Sequence, residues 1–150
     1  MIILRIAGGI RAHFGIRVTE WIMAAALFMF STVLLLDPKT FDTSTGFAVI
    51  AMYGDEFFWG NLCLAAALFR LIALTVNGTF KQFPYSPHLR AGASLASAVF
   101  WGQIALGILV AKLLLGGGVT GVVAYSTLMA IEMWNVIRAW ADVGATLRRP

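Results

Sequence analysis

The sequence is poor in charged residues: 12% of its 150 residues are Asp, Glu, Lys or Arg, whereas 60% are hydrophobic. Soluble domains typically carry about 25% charged residues, and half that fraction leaves too little polar surface to face water. The shortage excludes an ordinary soluble domain and indicates a protein whose solvent is lipid. The formal net charge of +4 does not predict a nucleic-acid partner, because the basic residues lie between apolar segments, where they set topology.

Cysteine is almost absent as well. Cys63 is the only one in the sequence, which excludes an intrachain disulfide, a Cys-x-x-Cys redox pair and a thiolate metal cluster. His13 and His88 lie in basic flanks, so paired haem ligation inside the protein is not expected. The sequence offers no nucleophile with a neighbouring base, no metal-ligand spacing and no phosphate-binding glycine loop. We therefore expect no enzymatic activity, no metal and no cofactor.

The segment FFWGNLCLAAALFRLIALTV, residues 57–76, is apolar apart from one arginine. As a helix it would be about 30 Å long, which matches the hydrocarbon thickness of a bilayer. Arg70 lies inside it, and a cation at that depth costs roughly 2.5 kcal/mol or more unless it finds a partner or reaches the interface. The surroundings of Arg70 are therefore central to any account of this protein.

Four apolar segments have the length and character of membrane spans: residues 18–36, 57–76, 91–111 and 119–139. Asp37-Pro38 ends the first span, since proline disfavours helix in the residue before it. The loops between the spans are short enough for one domain over residues 1–150. The predicted fold class is all-α, an integral membrane four-helix bundle.

Two segments outside the spans have helical character. Residues 1–17 place apolar residues four apart among three arginines, which fits either a basic amphipathic helix on the bilayer or an ordinary basic flank. In the loop 37–56, the apolar segment from Phe47 to Tyr53 follows Thr43-Ser44-Thr45. This pattern predicts a short helix lying along the outer membrane interface.

The distribution of lysine and arginine predicts the orientation. One side collects Arg5, Arg11, Arg17, Lys81, Arg90, Arg138, Arg148 and Arg149, and the other has only Lys39 and Lys112. Because cytoplasmic flanks carry an excess of basic residues, both termini are expected in the cytoplasm and the loop 37–56 outside.

Polar residues within the spans lie at comparable depth. Arg70 is six residues before the inner end of its span, about 9 Å, and Glu132 is seven before the inner end of the last span, about 10 Å. Asn135 shares a helix face with Glu132, and Arg138 and Glu20 lie nearer the inner interface. Three interpretations stay open: Arg70 extends to the headgroups independently, Arg70 and Glu132 form a structural bridge, or the cluster is a proton or ion site.

The third span contains small and polar residues at helical spacing. Gly92 and Ala96, like Ala93 and Ser97, are four apart, a spacing that lets another helix backbone approach closely. Ser94, Ser97 and Gln103 do not define one clean face, and we interpret them as hydrogen-bonding groups between helices rather than as a pore lining.

Several sequence blocks carry a resemblance. RVTEW opens the first span, FRLIALTVNG closes the second, and SPHLRA opens a third that continues through FWGQIALG. Together, over residues 17–140, they resemble the small four-helix membrane proteins of tailed-phage and prophage genomes, which are mostly unassigned or described as holin-like. The resemblance implies a setting in the bacterial host inner membrane, and it assigns no functional residue.

Three functions are compatible with these features. A holin-like factor would permeabilise the membrane by lateral self-assembly into homo-oligomers. A non-catalytic anchor would dock another protein on its outer loop or its basic inner face. A small transporter would use Arg70 and Glu132 in an ion or proton pathway.

The predicted orientation can be tested with single cysteines introduced at Thr43 and Thr79 in a Cys63→Ala background. Because the loop 37–56 is predicted to lie outside, a membrane-impermeant thiol reagent applied to intact cells should label Thr43→Cys and leave Thr79→Cys unlabelled. The reverse labelling pattern would show that the orientation is inverted.

Overall fold

The computed structural model describes residues 8, 14–79, 85–116 and 118–147, with the side chains of 77–79 and 145–147 outside the description. Every regular element in these residues is helical. The helices are α1 (Val18–Leu36), α2 (Ala48–Ala51), α3 (Glu56–Thr79), α4 (Ser86–Leu115) and α5 (Thr120–Leu147). Single 3-10 turns, Gly15–Arg17 and Thr45–Phe47, precede α1 and α2. The predicted lead-in 1–17 lies outside the described residues, apart from residue 8 and its last four residues.

Among the described residues, three segments are long and apolar enough to cross a membrane: Gly15–Leu36, Glu56–Val76 and Ser86–Leu115. They are consistent with a multi-pass membrane protein and coincide with the first three predicted spans. The fourth predicted span, 119–139, is helical as part of α5 but is not among these three. Its apolar character is interrupted by Glu132 and Asn135, both of which are buried inside the bundle.

The four long helices form a bundle in which sequence neighbours are not always spatial neighbours. α4 packs most extensively against α5, and α1 packs most extensively against α3. Contacts of α3 with α4, and weaker contacts of α1 with α5, close the ring. The order around the bundle is therefore α1, α3, α4, α5. Two helix pairs, α3 with α5 and α1 with α4, consequently lie across its diagonals.

The helix ends agree closely with the sequence signals. Asp37, before Pro38, has extended backbone angles and ends α1, and Asp55 Oδ1 accepts a hydrogen bond from the Phe58 N–H at 2.8 Å as the cap of α3. Gly116 ends α4 with a φ of +79°, a conformation that favours glycine. Two helices extend beyond their predicted spans: α3 continues past residue 76 to Thr79, and α4 begins at Ser86, five residues before residue 91.

The loop between α1 and α3 contains a short helix, α2, within the predicted segment Phe47 to Tyr53. α2 and the 3-10 turn before it pack onto α4. Ile50 is buried in the core and Phe47 packs against it, whereas Met52 and Tyr53 are 80% and 75% exposed. The cause is an opening at Gly107 on α4, where the missing side chain leaves room for Ile50.

Hydrogen bonds and aromatic contacts hold the loop between α1 and α3 against the helices. Glu56 Oε1 accepts from the Phe41 backbone N–H at 2.9 Å, and Trp59 Nε1 donates to the Ile50 carbonyl at 3.3 Å. The rings of Phe41 and Phe47 stack with centroids 5.4 Å apart. Further aromatic residues continue this cluster into the bundle: Phe30, Trp59, Phe100, Trp101 and Tyr125. The loop is thus part of the hydrophobic core.

The packing of Ile50 over Gly107 yields a stability prediction. A Cβ on Gly107 would lie 2.8 Å from Cγ1 of Ile50, so Gly107→Val should overpack the core and cost about 1–3 kcal/mol of unfolding free energy. Adding Ile50→Ala should recover part of that loss. Thermal unfolding in detergent would measure both effects.

Gly92 on the same helix provides the control, because a Cβ there would meet nothing within 4 Å. Gly92→Val should leave the melting temperature of the monomer nearly unchanged. Equal destabilisation by both valines would contradict the role assigned to Gly107.

Candidate functional site

Arg70 and Glu132 meet inside the bundle. Arg70 extends from α3 and Glu132 from α5, so their contact crosses one diagonal. Arg70 Nη2 donates to Glu132 Oε2 at 2.6 Å, and Nη1 donates to Oε1, which makes the pair bidentate. Arg70 is 1% exposed and Glu132 is fully buried. Arg70 therefore does not extend independently to a headgroup region, and the geometry is that of a structural bridge.

Two serines of α4 also accept hydrogen bonds from the guanidinium, whose Nε is buried without a partner among the described residues. Ser94 Oγ accepts from Arg70 Nη2 at 3.0 Å, and Ser97 Oγ accepts from Nη1 at 3.3 Å. Together with the carboxylate, these contacts occupy all four N–H groups of the two Nη atoms. Ser97 also donates to the Ala93 carbonyl at 3.0 Å. The Arg70 side chain thus connects α3, α4 and α5.

A hydrogen-bond chain extends this cluster to the remaining long helix. Asn135 Nδ2 donates to Glu132 Oε2 at 3.3 Å, as their spacing of three on α5 permits. Thr19 Oγ1, on α1, donates to Asn135 Oδ1 at 2.6 Å. Because a buried polar group without a partner is costly, each of these contacts helps to keep the four helices in register.

A second ion pair crosses the other diagonal. Arg90 on α4 donates through Nε to Glu20 Oε2 on α1 at 2.9 Å, and through Nη2 to Oε1. Both side chains are 2% exposed. Arg90 Nη1 also donates to Asp142 Oδ2 on α5 at 2.6 Å. Asp142 is half-exposed, so this cluster lies close to the end of the bundle.

The structure corrects part of the predicted cluster. Arg138 does not join Arg70, Glu132 and Glu20; its guanidinium donates to the Ile16 carbonyl instead. Glu20 pairs with Arg90, which the sequence indicated only as a basic flank residue. A signal for Arg90 was present: Arg90, Ser94 and Ser97 are spaced i, i+4 and i+7, so they share one face of α4. Gln103 is exposed on the other side of α4 and does not belong to that face.

The two predicted small-residue pairs on α4 face different ways. Ala93 and Ser97 are buried against neighbouring helices. Gly92 and Ala96 lie on the outward side, and nothing lies within 4 Å of a Cβ built on Gly92. Within the described residues, therefore, only Ala93 and Ser97 support close packing between helices of one copy. Gln103 also faces outward from α4.

This arrangement pairs charges in the interior of the bundle. Glu132 and Glu20 each accept two N–H groups of one arginine, which offsets the cost of removing both charges from water. Within the described part of the chain, no group of three His, Cys, Asp or Glu side chains could hold a metal ion. Cys63 is buried in the hydrophobic core and packs as a small apolar side chain.

Comparisons with protein-family models, with curated proteins and with solved structures found no match to this chain. The class of the protein thus follows from its own structure: a helical bundle with apolar helices of membrane-spanning length and charge pairs in its interior.

The Arg70–Glu132 bridge predicts a specific energetic coupling. Glu132→Gln should lower the stability of the bundle, because Arg70 would lose its counter-ion, and adding Arg70→Gln should recover part of the loss. We expect a coupling on the order of 1 kcal/mol, as for polar contacts between membrane helices. Unfolding in mild detergent of the wild type, both single variants and the double variant would measure it.

Arg138→Gln is the matched control, because Arg138 contacts a carbonyl on a different part of the bundle. Its effect should add to that of Glu132→Gln without coupling. Purely additive effects for Arg70 and Glu132 would contradict an energetic role for the bridge.

Proposed function

We propose that this chain is a non-enzymatic, holin-like protein of phage or prophage origin that permeabilises the bacterial inner membrane by lateral self-assembly. In this proposal all four long helices cross the membrane, with both termini in the cytoplasm. The lipid bilayer and further copies of the same chain are its partners, and no nucleic acid is involved. No residue is assigned a catalytic role and no cofactor is required.

The proposal is based on the positions of the paired and the unpaired polar groups. Arg70, Glu132, Arg90 and Glu20 are buried and bonded to one another across the bundle diagonals. A charged group that passes an ion or proton must be open to that species at some stage, whereas these four are at most 2% exposed. The arrangement therefore favours a rigid building block over a transporter that works as a monomer.

The outward face of α4 provides a reason for copies to associate. Gln103 is exposed on that face, and its amide has no hydrogen-bond partner among the described residues. An unpaired amide facing hydrocarbon costs free energy that a neighbouring helix with a polar group can relieve. Thr127, also exposed, differs because its hydroxyl already donates to the Val123 carbonyl at 2.8 Å.

A non-catalytic anchor is the second candidate, and the folded outer loop favours it. Met52 and Tyr53 project from a segment held firmly by Glu56 and Trp59, so they could present a defined surface to a partner protein. Aromatic and methionine side chains are enriched at protein interfaces.

Timed expression in bacteria distinguishes these candidates. Induction of the wild-type chain should, after a delay, abolish the membrane potential reported by a potential-sensitive dye. Gln103→Leu should delay or prevent that loss at equal membrane abundance, because it removes the unpaired amide. Thr127→Val, the matched control, should depolarise cells like the wild type.

Unchanged growth and potential at full expression would contradict the holin-like proposal. If a partner protein also co-purified, and its binding was lost in Met52→Ser or Tyr53→Ser, the anchor would be supported instead.

A further inference from the structure

A cluster of charged side chains lies at the end of the bundle where α1 and α4 begin and α5 approaches its own end. This charged cluster contains three arginines and two carboxylates: Arg17, Arg90, Arg138, Glu20 and Asp142. Arg17, in the 3-10 turn before α1, interacts electrostatically with the other four groups. Three cations against two anions leave the charged cluster with a surplus of positive charge.

Arg90 binds both carboxylates of the charged cluster. Its Nε and Nη2 donate to the two oxygens of Glu20, and its Nη1 donates to Asp142 Oδ2 at 2.6 Å. Arg138 has a neutral partner instead, since its Nη2 donates to the Ile16 carbonyl. The remaining N–H groups of the Arg138 guanidinium have no partner among the described residues. Arg138 is therefore a cation with donors available for a further anion.

Arg17 and Arg138 lie on two helices that leave room between them. α1 and α5 are neighbours around the bundle, but their contacts are weaker than those of the other neighbouring pairs. The hydrogen bond from Arg138 to Ile16 brings the end of α5 close to the turn that contains Arg17. Both arginines are half-buried, so their stems pack against the protein while part of each side chain remains accessible.

Aromatic residues indicate that the charged cluster lies at the membrane interface. Phe14 and Trp21 contact each other beside the start of α1, with ring centroids 6.3 Å apart, and Trp140 is exposed near the end of α5. Tryptophan is enriched at the level of the lipid headgroups. Arg138 follows Glu132 by six residues, so it lies about 9 Å nearer the helix end than the buried Arg70–Glu132 pair.

We propose that the headgroup of an anionic phospholipid binds at this end of the bundle, with its phosphate beside Arg17 and Arg138. The available N–H groups of Arg138 donate to phosphate oxygens, for which a planar guanidinium has suitable geometry. Arg17 adds positive charge on the other side of the phosphate. This site rests on the membrane setting and orientation proposed above, but it does not require permeabilisation.

An anionic phospholipid fits this site better than a zwitterionic one or a free phosphate ion. A zwitterionic headgroup would bring a further cation next to a cluster that already has a positive surplus. A free phosphate ion has the same anionic chemistry but no acyl chains. Trp134, one turn deeper on the face of α5 that carries Arg138, is exposed and offers an apolar surface to an acyl chain.

Native mass spectrometry of the full chain in mild detergent tests this site. The protein would be mixed with equal amounts of phosphatidylglycerol and phosphatidylcholine that have the same acyl chains. The wild type should retain phosphatidylglycerol at least several-fold more than phosphatidylcholine. Arg138→Gln and Arg17→Gln should each reduce that preference several-fold. Equal retention of the two lipids by the wild type would overturn the proposal.

Lys112→Gln is the matched control, because Lys112 is exposed near the opposite end of α4 and its replacement removes the same charge. This variant should keep the lipid preference of the wild type. An equal loss of preference in Lys112→Gln and Arg138→Gln would show that only the total charge of the protein attracts the lipid, and it would overturn the site.

Thermal unfolding separates lost binding from lost folding. Phosphatidylglycerol should raise the melting temperature of the wild type and of Lys112→Gln more than that of Arg138→Gln. Arg17→Gln decides the question if Arg138→Gln does not fold, because it alters the other side of the site. Displacement of phosphatidylglycerol by millimolar sodium phosphate would show a site for free phosphate and would overturn the assignment to lipid.

The lipid site and the proposed function can fail separately. Selective binding of phosphatidylglycerol by a chain that leaves the membrane potential intact would support the site and contradict permeabilisation. Loss of potential caused by a chain that does not distinguish the two lipids would support permeabilisation and contradict the site.

Discussion

The rest of the structure depends on the need to pair charges that are removed from water. Arg70 and Arg90 each bind a glutamate across a diagonal of the bundle, so the two ion pairs connect helices that are not neighbours around its ring. Bidentate geometry restricts the position of both partners. The two diagonal contacts, joined through Thr19 and Asn135, therefore specify one arrangement of the four long helices, which apolar packing alone would leave less well defined.

The need to pair polar groups is met in the interior of the bundle but not everywhere on its surface. Serines that face inward on α4 bind Arg70, whereas Gln103, which faces outward, has no partner in the described residues. In hydrocarbon, apolar contacts with a helix are hardly better than contacts with lipid, so unpaired polar groups have a disproportionate influence on association. The proposed self-assembly follows from this imbalance, and it needs no reaction and no bound cofactor.

Much of the secondary structure could be predicted because its signals are local. Proline after Asp37, the Asp55 cap and Gly116 specify helix ends through their own backbone and side-chain preferences. Depth along a helix is also a local quantity, since each residue adds a constant rise. For this reason the equal depth of Arg70 and Glu132 could be deduced by counting residues, and the structure places them in contact.

Which charged residues pair with each other does not follow from local sequence signals, and only the tertiary structure decided it. Glu20 could have paired with Arg138 by depth, but in the packed bundle Arg90 reaches Glu20, whereas Arg138 donates to the Ile16 carbonyl. The short helix in the loop 37–56 could be predicted, but only the packed structure shows that the missing side chain of Gly107 gives Ile50 a place in the core. The sequence by itself determined the all-helical class, the apolar helices and the depth of their polar residues, because these depend on composition and residue spacing. Which helix faces meet depends on how all the helices pack together.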